Sequence, residues 1–152
     1  MQVPDRISPA SLADYLEVMS KAVFQTGISW RVVESKWAGI REAFRGFDPV
    51  AISRLTAAEL GSLVEDKRII RNRRKIEAIV NNAHRMLELD RSFGGFRNYL
   101  RSHSSFEELL KDLHKQFKFL GDTGSYYFLW VVGEKVPPHE EFMASRGIQL
   151  PH

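Results

Sequence analysis

Apolar residues recur along this chain three and four positions apart, which is the spacing of helices that bury one face. Ser8 and Pro9 precede the first such stripe and predict a helix start, because serine caps a first turn and proline suits it. The second predicted helix runs from Ser29 to about Phe44. The apolar positions of the two stripes are Leu12, Leu16, Met19 and Val23, and then Trp30, Val33, Trp37, Ile40 and Phe44. The pattern therefore predicts two amphipathic helices at the amino-terminal end.

Polar residues just ahead of apolar stretches predict where further helices begin. Asp48, followed by Pro49, predicts a short helix, and Ser105 predicts a cap for the amphipathic run FEELLKDLHKQF. Thr56 and Glu59 have the spacing of a capping box, in which each side chain accepts a hydrogen bond from the backbone of the other residue. These signals add three helices to the first two.

Glycine and proline predict where the remaining helices end. The longest stripe stops before Gly94 and Gly95, and its apolar positions are Ile76, Ile79, Val80, Ala83 and Leu87. The last long helix is predicted to open at Thr123 or Gly124 and to be broken by Val136–Pro138, because proline cannot continue a helix. No alternating strand pattern and no internal repeat is visible, so the sequence predicts an all-α fold, an orthogonal helical bundle.

Length and composition are those of an ordinary globular protein. With 152 residues, of which 43% are hydrophobic and 27% charged, the chain is expected to form one domain over residues 1–152. The absence of cysteine excludes disulfides and thiolate metal sites. No early apolar run is typical of a signal peptide and no apolar run is long enough to span a membrane, so the cytoplasm is the expected compartment.

The basic residues are unevenly distributed along the chain. The run KRIIRNRRK (Lys67–Lys75) holds six of the 22 lysines and arginines. Such a cluster can bind phosphates, and each contact then adds to a salt-dependent affinity. The alternative is a solvated amino-terminal end of a helix, and the residue count alone supports both interpretations equally.

A glycine turn precedes the last long helix, within FKFLGDTGSYYFLWVVG (Phe117–Gly133). Gly121 and Gly124 would let the backbone N–H groups of the helix start approach an anionic partner closely. The alternative is a helix start that needs glycine for steric reasons alone.

Three motifs are specific in combination, and they are QTGISW (Gln25–Trp30), FDP (Phe47–Pro49) and IIRNRRKI (Ile69–Ile76). With the flanking residues of Phe24–His84 and with KFLGDTGSYYFLWVVG (Lys118–Gly133), they resemble the 3-methyladenine DNA glycosylase I family over most of the chain. The resemblance implies a fold of the helix-hairpin-helix superfamily. It also implies base-excision repair of alkylated DNA, in which cleavage of the N-glycosidic bond releases 3-methyladenine and leaves an abasic site.

The resemblance makes Leu109–Gly133 the hairpin that contacts the DNA backbone. The residues expected to bind DNA are Lys118, Gly121, Asp122, Thr123 and Gly124 in the hairpin and Arg71, Arg73 and Arg74 in the basic run. Arg71 has an alternative role, because the family match suggests that it pairs internally between two helices.

A flipped-out, positively charged base is expected to bind against aromatic faces through stacking and cation–π attraction. The base-pocket residues that the resemblance implies are Trp30, Gln25, Ser29, Tyr126 and, as an alternate to Tyr126, Tyr127. Any one aromatic on an apolar helical face is more often core packing, which is the interpretation given to Trp37 and Trp130.

The chain departs from the family at its pocket carboxylate, whose position is occupied by Ala22. The family's zinc-ligand cysteine is absent too, so His139 is expected without a metal, and no cofactor is required. A replacement carboxylate is expected from PPHEEF (Pro137–Phe142), where Glu141 would stabilise the developing oxocarbenium ion or activate water. Glu140 is the less favoured partner, and His139 would orient either one. The alternative is a solvated helix start, where the helix dipole favours glutamate.

These features predict a DNA glycosylase that acts as a monomer on double-stranded DNA containing an alkylated base, with no membrane partner. The alternative that Ala22 favours is a DNA-binding module that kept the hairpin and the basic run but lost the catalytic carboxylate. A helical scaffold for protein partners is supported only by generic amphipathic faces.

Overall fold

A computed structural model describes residues 4–147 of the chain. Over this range the chain forms α-helices, one short 3₁₀ turn at Arg45–Phe47 and no strand, which confirms the all-α prediction. The helices are α1 (Leu12–Gln25), α2 (Trp30–Ala43), α3 (Pro49–Ser53), α4 (Ala57–Val64), α5 (Arg73–Phe93), α6 (Phe96–Leu100), α7 (Phe106–Gln116), α8 (Asp122–Val131) and α9 (His139–Ser145). None of these helices combines the length and the apolar character needed to cross a membrane.

Three predicted caps form, and a fourth forms at Ser29. Side-chain oxygens of Asp48, Thr56 and Ser105 accept hydrogen bonds from backbone N–H groups in the first turns of α3, α4 and α7, at 3.0, 3.1 and 3.1 Å. Glu59 completes the capping box by accepting from the Thr56 N–H at 3.0 Å. The side chain of Ser29 caps α2 in the same way, at 3.3 Å from the Arg31 nitrogen.

Helix α1 begins at Leu12, three residues after the predicted start at Pro9. The preceding segment uses its backbone to bind α8 instead. The Ile7 N–H donates to the Val131 carbonyl at 2.7 Å, and the Trp130 indole N–H donates to the Pro4 carbonyl at 2.7 Å. These bonds hold residues 4–7 against α8, and the chain stays non-helical as far as the extended Ser11, so the serine–proline signal was misleading here.

The boundaries of α8 also differ from the prediction. The helix begins at Asp122, just ahead of Thr123, with Gly121 as its cap residue. It ends at Val131, and Gly133 then adopts a left-handed φ of +83°. Val136–Pro138 therefore lies in the connection to α9 and is not what ends α8.

The core lies where α1 packs against α5 and α8. Fully buried side chains at this junction include Leu16, Met19, Ile76, Ile79, Phe128 and Leu129. Trp37 and Trp130 pack against the core but stay partly exposed. The Trp37 ring stacks on Phe47 at 5.3 Å, whereas the Arg6 guanidinium lies 3.9 Å from the centre of the Trp130 ring.

The capping box makes an acid-stability prediction. The hydrogen bond from the Thr56 backbone, together with the Arg45 guanidinium, lowers the pKa of Glu59 from 4.5 to about 2. Because the pKa is depressed on folding, ionised Glu59 stabilises the fold above about pH 4.5, and this contribution is lost as the pH falls towards about 2. The difference in melting temperature between the wild type and Glu59→Gln should therefore shrink over that window. Glu77→Gln, a change on the exposed face of α5, is the control. A constant difference across the window would contradict the prediction.

Candidate functional site

The turn from α7 to α8 presents a free helix start to solvent. Gly121 precedes α8 in an extended conformation and no side chain caps the helix. Within the described residues, the N–H groups of Asp122, Thr123 and Gly124 have no intramolecular acceptor. A β-carbon placed on Gly121 would meet nothing within 4 Å, so the backbone there is open to close approach. Donors with no internal partner at a helix start can bind an anion such as a DNA phosphate.

The side chain of Asp122 is occupied within the protein. Its carboxylate accepts from Arg146 at 2.9 Å, and the same guanidinium donates to Glu107 of α7 at 3.0 Å. This bridge ties α7, α8 and the end of α9 together. Asp122 can therefore offer DNA only its backbone N–H, which is the group that the sequence prediction used.

Gly124 faces the protein interior, unlike Gly121. A β-carbon placed on Gly124 would lie 3.7 Å from the β-carbon of Ala22 and 3.6 Å from Leu120. The first turn of α8 therefore packs on the last turn of α1 at ordinary contact distance. The open side of the turn is therefore at Gly121, whereas Gly124 can offer a phosphate only its backbone N–H.

A buried asparagine joins the hairpin turn to α5. The side-chain amide of Asn82 accepts from the Lys118 N–H at 2.8 Å and donates to the Lys118 carbonyl at 3.1 Å. The next residue, Phe119, has a φ of +57° and is 38% exposed. The Arg74 guanidinium lies 6.0 Å from the centre of its ring. The amino-terminal turns of α5 and the hairpin turn therefore form one surface, on which Lys118 and Arg74 are both exposed.

The basic run does not behave as one solvated cluster. Arg68 binds Asp66 at 2.7 Å and Arg73 binds Glu77 at 2.9 Å, so both are engaged in ion pairs. Arg71 and Arg74 are exposed and have no ionic partner among residues 4–147. The internal pairing suggested for Arg71 is therefore absent from the described part of the chain.

Lys75, the last member of the basic run, points into the protein. The residue is only 4% exposed, and its ammonium donates to the Phe24 carbonyl at 3.0 Å and also to the Thr26 carbonyl. Burial lowers the pKa of Lys75. Counting it as a surface cation was wrong, because its helical position matches that of buried Ile79 and Asn82, four and seven residues further on. The helical spacing of Lys75 and Asn82 from Ile79 could have placed both polar side chains on the buried face of α5. Neither was predicted to be buried.

The predicted base-pocket residues occupy very different environments. Trp30, the first residue of α2, is 46% exposed, and the Arg31 guanidinium lies 5.7 Å from the centre of its ring. Gln25 ends α1 and is partly exposed, whereas the Ser29 hydroxyl is used as the α2 cap. These three residues lie in or beside the turn that connects α1 and α2.

The two tyrosines of α8, Tyr126 and Tyr127, lie in different environments. Tyr126 has no exposed surface, donates to the Pro137 carbonyl at 2.7 Å and stacks on Phe142 at 4.4 Å. It is a core residue, which corrects its assignment to the pocket. Tyr127 is only partly buried, and its hydroxyl lies 2.7 Å from the His139 Nε2.

The carboxylates of α9 do not form a buried site. Glu140 and Glu141 are exposed in the first turn of α9 and make no hydrogen bond or ion pair with residues 4–147. The expected desolvated carboxylate at Glu141 is therefore contradicted, and His139 bonds to Tyr127 rather than orienting either acid. The favourable helix dipole explains glutamate at these positions. Within the described range, no three histidine or carboxylate side chains are grouped to hold a metal.

Comparison with known proteins identifies a family that this chain resembles over most of its length. Residues 11–116 match the model of the methyladenine glycosylase family. Two relatives, the DNA-3-methyladenine glycosylase of Haemophilus influenzae and DNA-3-methyladenine glycosylase 1 of Escherichia coli, are each 32% identical over 130 residues, covering 72% of this chain and 70% of the relative.

Solved structures resemble this chain over more than four fifths of its length. A structure of 3-methyladenine DNA glycosylase I from Staphylococcus aureus superimposes with a TM-score of 0.73 at 26% identity, covering 84% of this chain and 79% of that one. A variant of a 3-methyladenine DNA glycosylase I in complex with 3-methyladenine gives 0.72 at 26% identity, covering 87% and 85%. The chain therefore belongs to the methyladenine glycosylase family.

Proposed function

We propose that this protein is a DNA glycosylase of base-excision repair that hydrolyses the N-glycosidic bond of alkylated purines such as 3-methyladenine. The observation that carries the proposal is the exposed indole of Trp30, in a turn that the family model covers. That turn follows the last turn of α1, which packs on the start of the hairpin helix through Ala22 and Gly124. A surface for the base and a surface for the DNA backbone thus lie on adjoining elements.

Recognition of the base rests on its positive charge. A 3-methyladenine deoxynucleoside is cationic, so an aromatic face attracts it by about 0.5–2 kcal/mol beyond burial. Trp30 supplies that face in the proposal, with Gln25 at the adjoining end of α1 and the partly exposed Tyr127 as further contacts. Chemistry on the base requires it to be flipped out of the stack, which costs least for a damaged base.

The reaction breaks the bond from C1′ of the sugar to the base nitrogen. The electron pair leaves with the base, which becomes neutral, and the positive charge moves onto the sugar until water adds to C1′ and loses a proton. A cationic base is already a good leaving group, so holding the flipped state can account for much of the catalysis. The carboxylate nearest to Trp30 along α2 is Glu34, one turn later, and it is paired with Lys21. We assign no catalytic role to Glu140 or Glu141, because both are exposed and isolated.

The DNA backbone is proposed to lie across the hairpin turn and the start of α5. Lys118, Arg71 and Arg74 supply exposed positive charge, and the N–H groups of Asp122 and Thr123 supply hydrogen-bond donors. Contacts of this type position a duplex without reading its sequence. Action as a monomer in the cytoplasm belongs to the same proposal, and sedimentation of the free protein tests the first part.

A glycosylase assay on methylated duplex DNA tests the proposed function directly. Released base is identified by chromatography and abasic sites are counted on the same DNA, with spontaneous depurination subtracted by using heat-inactivated protein. We expect equal amounts of 3-methyladenine and new abasic sites, and no release from unmethylated duplex. Tight binding of methylated DNA without release would instead support the DNA-recognition module that Ala22 favours.

A further inference from the structure

We propose that Lys75 and Asn82 are positioning residues that together fix the separation between the base-binding turn and the DNA-binding hairpin. This inference rests on the proposed function. In this proposal α5 holds the two loops at a fixed relative position, with one polar side chain bound to each loop.

Lys75 holds the first loop. Its ammonium binds the carbonyls of Phe24 and Thr26, which lie at the end of α1 just before the turn that carries Trp30. No carboxylate pairs with it among residues 4–147, so its polar partners are backbone atoms of that loop. Burying an ammonium costs free energy that an apolar side chain would not. The role that best explains a lysine here is to position those two carbonyls, because its burial does not add to overall stability.

Asn82 holds the second loop. Its amide satisfies both the N–H and the carbonyl of Lys118, as a neighbouring strand or turn would, and it is only 2% exposed. The restrained residue is followed directly by Phe119 with its positive φ, a conformation that a non-glycine residue keeps only when its surroundings impose it. Fixing Lys118 therefore fixes the path of the chain into the free start of α8.

The helix between the two contacts sets their distance. Lys75 and Asn82 are seven residues apart, which is two helical turns and about 10 Å along the axis. Ile79 lies between them on the same buried face, and the Asn72 side chain caps the helix just before Lys75 by accepting from its N–H at 3.1 Å. A capped and packed helix is stiff compared with either loop. A base flipped into the Trp30 site must be tethered at a fixed distance from the phosphate that the hairpin holds, and α5 provides that distance.

Two variants separate the two contacts. Asn82→Leu should weaken binding to undamaged duplex about tenfold, which is the effect of losing one or two buried hydrogen bonds. It should also slow single-turnover release at saturating protein, because the hairpin then no longer holds the phosphate at the required distance from the Trp30 site. Lys75→Met should lower the single-turnover rate and the affinity for free 3-methyladenine about tenfold, while duplex affinity changes less than about twofold. Both variants should therefore slow release, but only Asn82→Leu should weaken duplex binding and only Lys75→Met should weaken binding of the free base.

Tyr99→Phe is the matched structural control. It removes a buried hydroxyl that donates to Asp112 of α7 at 2.9 Å and bonds neither to Lys118 nor to the end of α1, and it should lower the melting temperature without separating release from binding. Asn82→Asp keeps the acceptor for the Lys118 N–H and should recover part of the duplex affinity, and Lys75→Arg keeps the charge and donors if Lys75→Met fails to fold. The proposal is overturned if both positions change release and duplex binding in equal proportion, in step with melting temperature as Tyr99→Phe does.

The variants still test the two contacts if the protein is not a glycosylase. A wild-type protein that releases no base would refute the glycosylase proposal by itself. Duplex affinity of the Asn82 variants and free-base affinity of the Lys75 variants would still test the two contacts, and unchanged values for both would overturn the positioning roles independently.

Discussion

Replacement of Trp30 by alanine is expected to lower the single-turnover rate of 3-methyladenine release roughly 10–100-fold, because a base–aromatic stack contributes about 1–3 kcal/mol. The affinity for undamaged duplex should change little, since an unflipped base does not reach the indole. Because Trp30 is 46% exposed, the melting temperature should also stay close to that of the wild type.

Phe93→Ala is the control for this result. Phe93 is a comparably exposed aromatic, at 42%, and it lies at the opposite end of α5 from the basic run. Its loss should leave base release unchanged. Equal losses of release and of duplex binding for Trp30→Ala, together with a fall in melting temperature, would mean that Trp30 is a packing residue and that the base binds elsewhere.

Charge reversal of Lys118 and Arg74 together should weaken binding to any duplex roughly 100-fold near physiological salt and lower the salt slope by about two units. Both side chains are exposed beside the hairpin turn, and each phosphate contact releases about one counterion when it forms. Fluorescence anisotropy titrations at several salt concentrations measure both quantities, with damaged and undamaged duplexes affected alike.

A second double reversal, of Arg54 and Arg91 to glutamate, changes the net charge equally at exposed positions outside the hairpin and the basic run. It should leave most of the affinity and nearly the full slope. If the two double variants lose affinity to the same extent, DNA is attracted by overall charge and the hairpin is not the docking surface.

The helices and their starts were largely predictable from the sequence because their causes are local. The caps at Asp48, Thr56 and Ser105 depend on residues within three positions of one another, and all three formed as expected. The start of α1 was misplaced because the backbone near Ile7 binds Val131, more than a hundred residues away. No local pattern carries that information.

The candidate site was less predictable, because it depends on which way each side chain faces. Tyr126 and Tyr127 are adjacent, yet one is fully buried and the other faces His139. Lysine is usually a surface residue, but Lys75 occupies the buried face of α5 and its side chain points inward. The exposure of Glu141 is set by how the short helix α9 lies after a proline-containing connection, and periodicity does not constrain that orientation.

The bridge from Arg146 to Asp122 and Glu107 has an electrostatic consequence for the hairpin. Without that guanidinium, two unpaired carboxylates would lie at the amino-terminal end of α8. Their repulsion of a polyanion would oppose its binding to the free N–H donors of the same turn. Arg146, which directly follows α9, thus offsets one of the two negative charges at a surface built from α7 and α8. A substitution at Arg146 would therefore change the affinity for DNA without removing a direct contact with it.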